Sequence, residues 1–152
     1  AESHQGNVWE DSCVEFFFTP NEDTTKGYFN VEMNCGGTLL FHFQRIPRQS
    51  DRVILSDEDL KKVEIDHSMP KRVDPEIEEA TEWTVSYRIP FELIQSRFPD
   101  EFMVPIEGAK WRANFYKCAD KTSHPHWLTW AHIDRPQPDF HCPEYFGWII
   151  FG

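Results

Sequence analysis

The chain lacks several features that would narrow its function at once. No apolar run approaches the ~20 residues that a membrane-spanning helix requires, so a helical span is not expected. Cations are few: 15 Lys and Arg stand against 26 Asp and Glu, for a formal net charge of −11. Such a surface repels phosphate backbones and anionic headgroups, which makes nucleic acid and anionic membranes poor partners. No two cysteines have C-x-x-C spacing; Cys13, Cys35, Cys118 and Cys142 are far apart, and either two disulfides or four thiols fit them. A G-x-S-x-G elbow, a P-loop and a dinucleotide-binding fingerprint are all missing. So are internal repeats and low-complexity tracts, and the polar opening AESHQGN carries no secretory signal.

Aromatic residues are plentiful. They make up 15% of 152 residues, enough for one domain with a sizeable core, and eleven Pro and seven Gly interrupt them often. That combination favours many short strands joined by turns. Cys13 to Thr19 alternates with period two, so Val14, Phe16 and Phe18 share one face and Cys13, Glu15 and Phe17 the other. PNEDTTKG reads as a turn, and Tyr28 to Cys35 as the returning strand, with Phe29, Val31 and Met33 opposite Asn30, Glu32 and Asn34. Gly36-Gly37 turns the chain into Thr38 to Gln44.

The charged stretch from Arg45 to Ala80 is expected to hold long loops and an edge strand such as Lys62 to Asp66. Glu82 to Ile89 alternates again, with Trp83, Val85, Tyr87 and Ile89 on the core face, and Pro90 opens a short helix, Phe91 to Phe98. Lys110 to Cys118, Trp127 to Trp130 and Tyr145 to Phe151 complete the strands. The expectation is all-β: an antiparallel β-sandwich of about eight strands with one short helix and no βαβ unit.

Three strands put polar residues on the face away from the core: Glu15; Asn30, Glu32 and Asn34; and Arg112 and Asn114. Two readings stand. This is the solvated outer face of an antiparallel sheet, or a surface built to bind hydroxyls. Carboxylates, amides and a guanidinium suit sugar hydroxyls, which donate and accept hydrogen bonds. Sugars also have flat C–H faces that pack on aromatic rings, and Trp offers the largest such surface. Trp9, Trp127 and Trp130 fall outside the expected core, whereas Trp83 and Trp111 sit on core faces.

VWEDSCVEFFF, YFNVEMNCGGTLL, WRANFYKC, LTWAHI and PDFHCPEYFG, in that order, resemble the successive signatures of the family 9 carbohydrate-binding modules. More narrowly, they are similar to a branch met in polysaccharide-degrading bacteria. The likeness runs from Val8 to the end of the chain, interrupted across Arg45 to Ala80. It implies a sandwich of immunoglobulin-like or jelly-roll type and a mono- or oligosaccharide ligand without catalysis. A fused or associated glycoside hydrolase and a periplasmic or extracellular setting are also implied. Xylanase-linked members hold a terminal glucose or xylose between two tryptophans, with a glutamate on the hydroxyls. Carried over, the W-x5-E pattern places the first tryptophan and the glutamate on Trp9 and Glu15. The second tryptophan falls on Trp130, or else Trp127; Arg112 and Asn114 are helpers suggested by their strand face. Family members carry further strands ahead of W-x5-E, so the expectation here is a single domain that lacks them.

Other chemistries remain to be weighed. His124, His126 and Cys142 offer metal donors in no ordinary zinc spacing. The resembled family binds structural calcium, and Asn21, Glu22 and Asp23 supply oxygens for it, or simply form a solvated turn. A related sandwich carries haem on Met and His, but no Met–His pair stands out here. Hydrolysis needs two carboxyls about 5–9 Å apart across a cleft, and Glu15 and Glu32 are the pair able to supply them.

Overall fold

The computed structural model describes residues 1–97, 99–100 and 102–152. Nine strands and two short helices lie among them. The strands are β1 (Cys13–Thr19), β2 (Tyr28–Asn34), β3 (Leu39–Gln44), β4 (Val53–Ile54), β5 (Glu64–His67), β6 (Val85–Arg88), β7 (Lys110–Cys118), β8 (Trp127–Thr129) and β9 (Gly147–Ile150). Helices α1 (Asp57–Leu60) and α2 (Phe91–Arg97) precede β5 and follow β6. The large antiparallel sheet runs β4-β3-β2-β1-β7-β8, and β9 pairs with the first half of β7, on residues that β8 leaves free. A hairpin, β5-β6, forms a second, smaller sheet.

The register of the large sheet sorts its two faces. Phe16 sits opposite Val31 and Phe115, Phe18 opposite Phe29 and Ala113, and Phe29 opposite Phe43, so apolar side chains meet across the β1–β2, β1–β7 and β2–β3 boundaries. Phe18 stacks on Phe29 and Trp111 at 5.2 and 5.5 Å between ring centres. Over this face pack Ile65, Val85, Tyr87 and Ile89 of the hairpin, Leu60 of α1, and Leu93 and Ile94 of α2. Each fully buried large side chain is worth ~1.5–3 kcal/mol, and this layer is the main core. The architecture is therefore the expected antiparallel sandwich, with a two-stranded sheet and helices as its second layer.

Several details differ from the sequence expectation. There are two helices rather than one, because Ser56 caps α1: its Oγ accepts from Asp59 N–H at 3.3 Å and donates to Asp59 Oδ2 at 2.8 Å. Trp83 lies before β6 and outside the core, where the Lys117 ammonium sits 5.8 Å from its ring centre. The last strand begins only at Gly147, since Pro143–Tyr145 winds into a 3-10 turn. Phe98, the expected end of α2, falls outside the described residues. In the turn after β1, Asp23 Oδ1 accepts from Thr25 N and Oγ1, and Asn21 Oδ1 from Asp23 N. Gly37 turns the chain into β3 at a φ of 76°, with the His67 ring close enough to meet any added Cβ. No described helix is long and apolar enough to cross a membrane.

Candidate functional site

The second face of the large sheet is polar, and it is buried. Its rows follow from the same register: Leu40, Glu32, Glu15 and Tyr116 lie side by side across β3, β2, β1 and β7, and His42, Asn30, Phe17 and Asn114 form the next row. Glu15 is 6% exposed and Glu32 5%, so the solvated-face reading fails. Two segments cover this face. Near residue 5 the chain hugs the edge of β3: Gln5 N donates to Leu39 O at 2.9 Å and Gln5 Oε1 accepts from Phe41 N at 3.0 Å. It then crosses to β7, where Trp9 O accepts from Asp120 N at 3.1 Å. From the other side, Phe140 stacks on Tyr116 at 4.2 Å, and its carbonyl accepts from the Tyr116 hydroxyl.

Between these covers lies a cavity of about 490 Å³, within the ~300–1,000 Å³ usual for small-molecule sites. Trp9, Trp127 and Phe140 give it aromatic walls, and Glu15, Asn30, Glu32, His42 and Gln44 a polar floor. The floor is tied together. Asn30 Nδ2 donates to Glu32 Oε1 at 2.9 Å, and Gln44 Nε2 to Asn30 Oδ1 at 3.0 Å. Gln44 Oε1 in turn accepts from Arg48 N, whose guanidinium pairs with Asp139 at 2.6 Å. The Tyr28 hydroxyl and His141 Nδ1 are hydrogen-bonded at 2.6 Å. His42, 7% exposed, stands apart: its Nε2 is buried without a partner.

Burial sets the charge state of this floor. It holds the Glu15 carboxyl well above the usual carboxylate range, with Glu32 and Cys118 adding to the shift. Glu32 is pushed up to about 7 by burial, against the opposing pull of the Asn30 hydrogen bond and the Arg48 charge. His42 and His141 are pushed down to about 4, chiefly by burial, with Arg52 and Arg48 respectively assisting. The floor thus presents two carboxyls that keep their protons to higher pH than usual and two imidazoles that are uncharged near neutral pH; a protonated carboxyl and a neutral imidazole both donate and accept hydrogen bonds.

The family model of carbohydrate-binding family 9 matches residues 1–151. The chain belongs to carbohydrate-binding family 9. Among curated proteins, none matches the chain. Among solved structures, a Bacteroides uniformis protein described as a candidate carbohydrate-binding protein is 33% identical, with a TM-score of 0.76. The match covers 100% of this chain and 66% of that one, so the chain spans about two thirds of the relative's length.

Of the residues that the family resemblance pointed to, Trp9, Glu15 and Trp127 meet on the cavity. Trp127 pairs with Cys118 across β7 and β8, which puts it on the cavity face, and its Nε1 donates to Asp120 Oδ1 at 2.8 Å. Trp130, three residues on, does not line the cavity. It is 57% exposed, packs edge-on to Phe115 and covers Gly147, where a Cβ would come within 2.6 Å of its ring. Arg112 and Asn114 also lie outside, although alternation places them on the right side of β7. The Arg112 Nε donates to Phe146 O at 3.0 Å and the guanidinium lies 4.5 Å from the Trp148 ring centre. Asn114 bonds Thr129 Oγ1, Ala131 O and Ala131 N, which fixes the bend after β8. Overlying chain has taken the space above both residues.

His42, Gln44, Arg48, Asp139 and His141 were not singled out from the sequence as site residues. For His42 and Gln44 the signal was present, since β3 alternates Leu39, Phe41 and Phe43 against Leu40, His42 and Gln44. Asp139 and His141 sit in the PDFHC segment, which has no periodicity to read.

Proposed function

We propose that this chain is a non-catalytic carbohydrate-binding module whose cavity takes a sugar unit or the end of a short oligosaccharide. The observation that carries this reading is the polar floor of Glu15, Asn30, Glu32, His42 and Gln44 set between the aromatic walls of Trp9, Trp127 and Phe140. Trp9, Trp127 and Phe140 would pack on the sugar's C–H faces, and Glu15 and Glu32 would bond its hydroxyls. Membership of carbohydrate-binding family 9 supports the ligand class. A terminal glucose or xylose of a plant-type polysaccharide is the first ligand to try. The module would serve polysaccharide degradation beside a glycoside hydrolase, outside the cytoplasm.

Isothermal titration with glucose, xylose, cellobiose and xylobiose tests the reading. Binding to at least one is expected, weakened by Trp9→Ala; silence across a broad glycan array would refute it. A second reading, hydrolysis by the domain itself, draws on one feature. Glu15 and Glu32 are directly opposite across β1 and β2, and both carboxyls are held above their usual range. Sugar release from a polysaccharide panel, lost in Glu15→Gln, would replace binding with catalysis.

A further inference from the structure

We propose that Cys13, Glu15 and Cys118 form a site for a soft divalent cation, zinc above all, whose fourth coordination position faces the cavity. One donor atom from each of the three side chains lies within 4.8 Å of the others. Tetrahedral zinc, with Zn–S of ~2.3 Å and Zn–O of ~2.0 Å, needs donors ~3.5–3.8 Å apart. The Cys118 Sγ to Glu15 Oε1 separation is 3.0 Å, so the cluster can reach that geometry by small side-chain rotations.

Backbone regularity builds the triangle. Cys13 and Glu15 are two residues apart on β1 and share a face, and Cys118 on β7 is the direct partner of Cys13. Donors on adjacent strands of a paired sheet are held more rigidly than donors on loops. Cys13 Sγ is 3.6 Å from Val14 O, and Cys118 Sγ is 3.6 Å from Trp9 O, beyond its contact with Glu15. Glu15 and Cys118 both line the cavity, which leaves one side of the triangle open to water or a ligand oxygen.

Donor chemistry selects the ion. Two sulfurs and one carboxylate suit zinc, whereas calcium and magnesium require oxygens throughout. Binding displaces two thiol protons to solvent, and the carboxyl proton where Glu15 carries one. The resulting three negative charges exceed the cation by one, and the Lys117 ammonium, whose Nζ donates to Cys118 O at 2.7 Å, stands close by. Among the described residues, His124, His126 and Cys142 form no comparable cluster. Glu15 has two oxygens and can give one to the ion while the other bonds a ligand in the cavity.

The site does not rest on the carbohydrate reading, and either can fail alone. The test is to load the reduced, metal-free chain with zinc, and separately with cobalt as a spectroscopic probe. Expected are one zinc per chain after dialysis and a tetrahedral cobalt spectrum with a thiolate charge-transfer band. Cys118→Ser and Cys13→Ser should remove the band, and Cys35→Ser should keep it. Glu15→Gln, an isostere that preserves packing, should retain the band but weaken zinc by more than the ~10–100-fold typical of outer-shell changes. An octahedral cobalt spectrum, zinc lost on dialysis, or a band indifferent to Cys118→Ser in a variant with native circular dichroism would overturn the proposal. So would a Cys13–Cys118 disulfide that re-forms in preference to the metal complex in the presence of zinc.

Discussion

The two faces of the large sheet are made by the same strands, yet they serve opposite ends. On one, Phe18, Phe29, Val31, Met33, Phe41 and Phe43 form a dry core against the hairpin and helices. On the other, Glu15, Asn30, Glu32, His42 and Gln44 are almost as deeply buried, but around an open cavity. A one-residue slip of register would exchange the faces. The apolar face therefore fixes the register, and the register in turn aligns the polar rows that no hydrophobic force would assemble. Stability and binding should separate along this division.

The largest effect is expected from the core. Phe29→Ala should lower unfolding free energy by ~3–5 kcal/mol in a denaturant titration, and binding should vanish only because the fold does. Next comes the cavity wall. Trp9→Ala should weaken sugar binding by ~2–3 kcal/mol, as for an aromatic anchor, while leaving the core intact; an equal loss of stability would erase the distinction between the faces.

Glu32→Gln probes the strain of the polar floor. The Glu32 carboxyl, ordinarily near 4.5, is pushed up to about 7, so the folded state holds its proton more tightly than the unfolded chain does. Its contribution to stability is full below pH 4.5 and is lost as pH rises through 7. The variant should thus gain on the order of 1–2 kcal/mol at pH 8 and nothing at pH 4. His141 works the other way: ordinarily near 6.5 and pushed down to about 4, it contributes stability above 6.5 that is lost as pH falls through 4. The two windows overlap with opposite slopes, and removing Glu32 should expose a steeper acid limb in stability measured from pH 7 to 4.5. The smallest effect belongs to Trp130→Ala, which should leave sugar affinity unchanged and cost ~1 kcal/mol or less.

Local periodicity made much of this legible. Alternation placed Glu15, Asn30 and Glu32 on one side and their apolar neighbours on the other, and the register agrees. It also held the signal for α1, because Ser56 and Asp59 have capping spacing ahead of Leu60. Burial of the polar face was beyond its reach, since the covering segments come from distant parts of the chain. The choice between Trp127 and Trp130 had a local basis in part: three residues apart on an extended strand, they point to opposite sides. Which side meets the cavity depends on the Cys118–Trp127 pairing and on the Asn114 bonds that bend the chain, and neither is a local property.

The bond from Cys118 to the Trp9 carbonyl joins residues 109 apart in sequence. Contacts of such long separation are the slowest to form, because the closure entropy of the intervening loop must be met first. The sandwich can grow outward from its hairpins, whereas the cavity exists only once both distant segments have docked. During synthesis a chain stopped short of β7 would have most of its apolar core strands and no binding site, so ligand capture marks the last stage of folding.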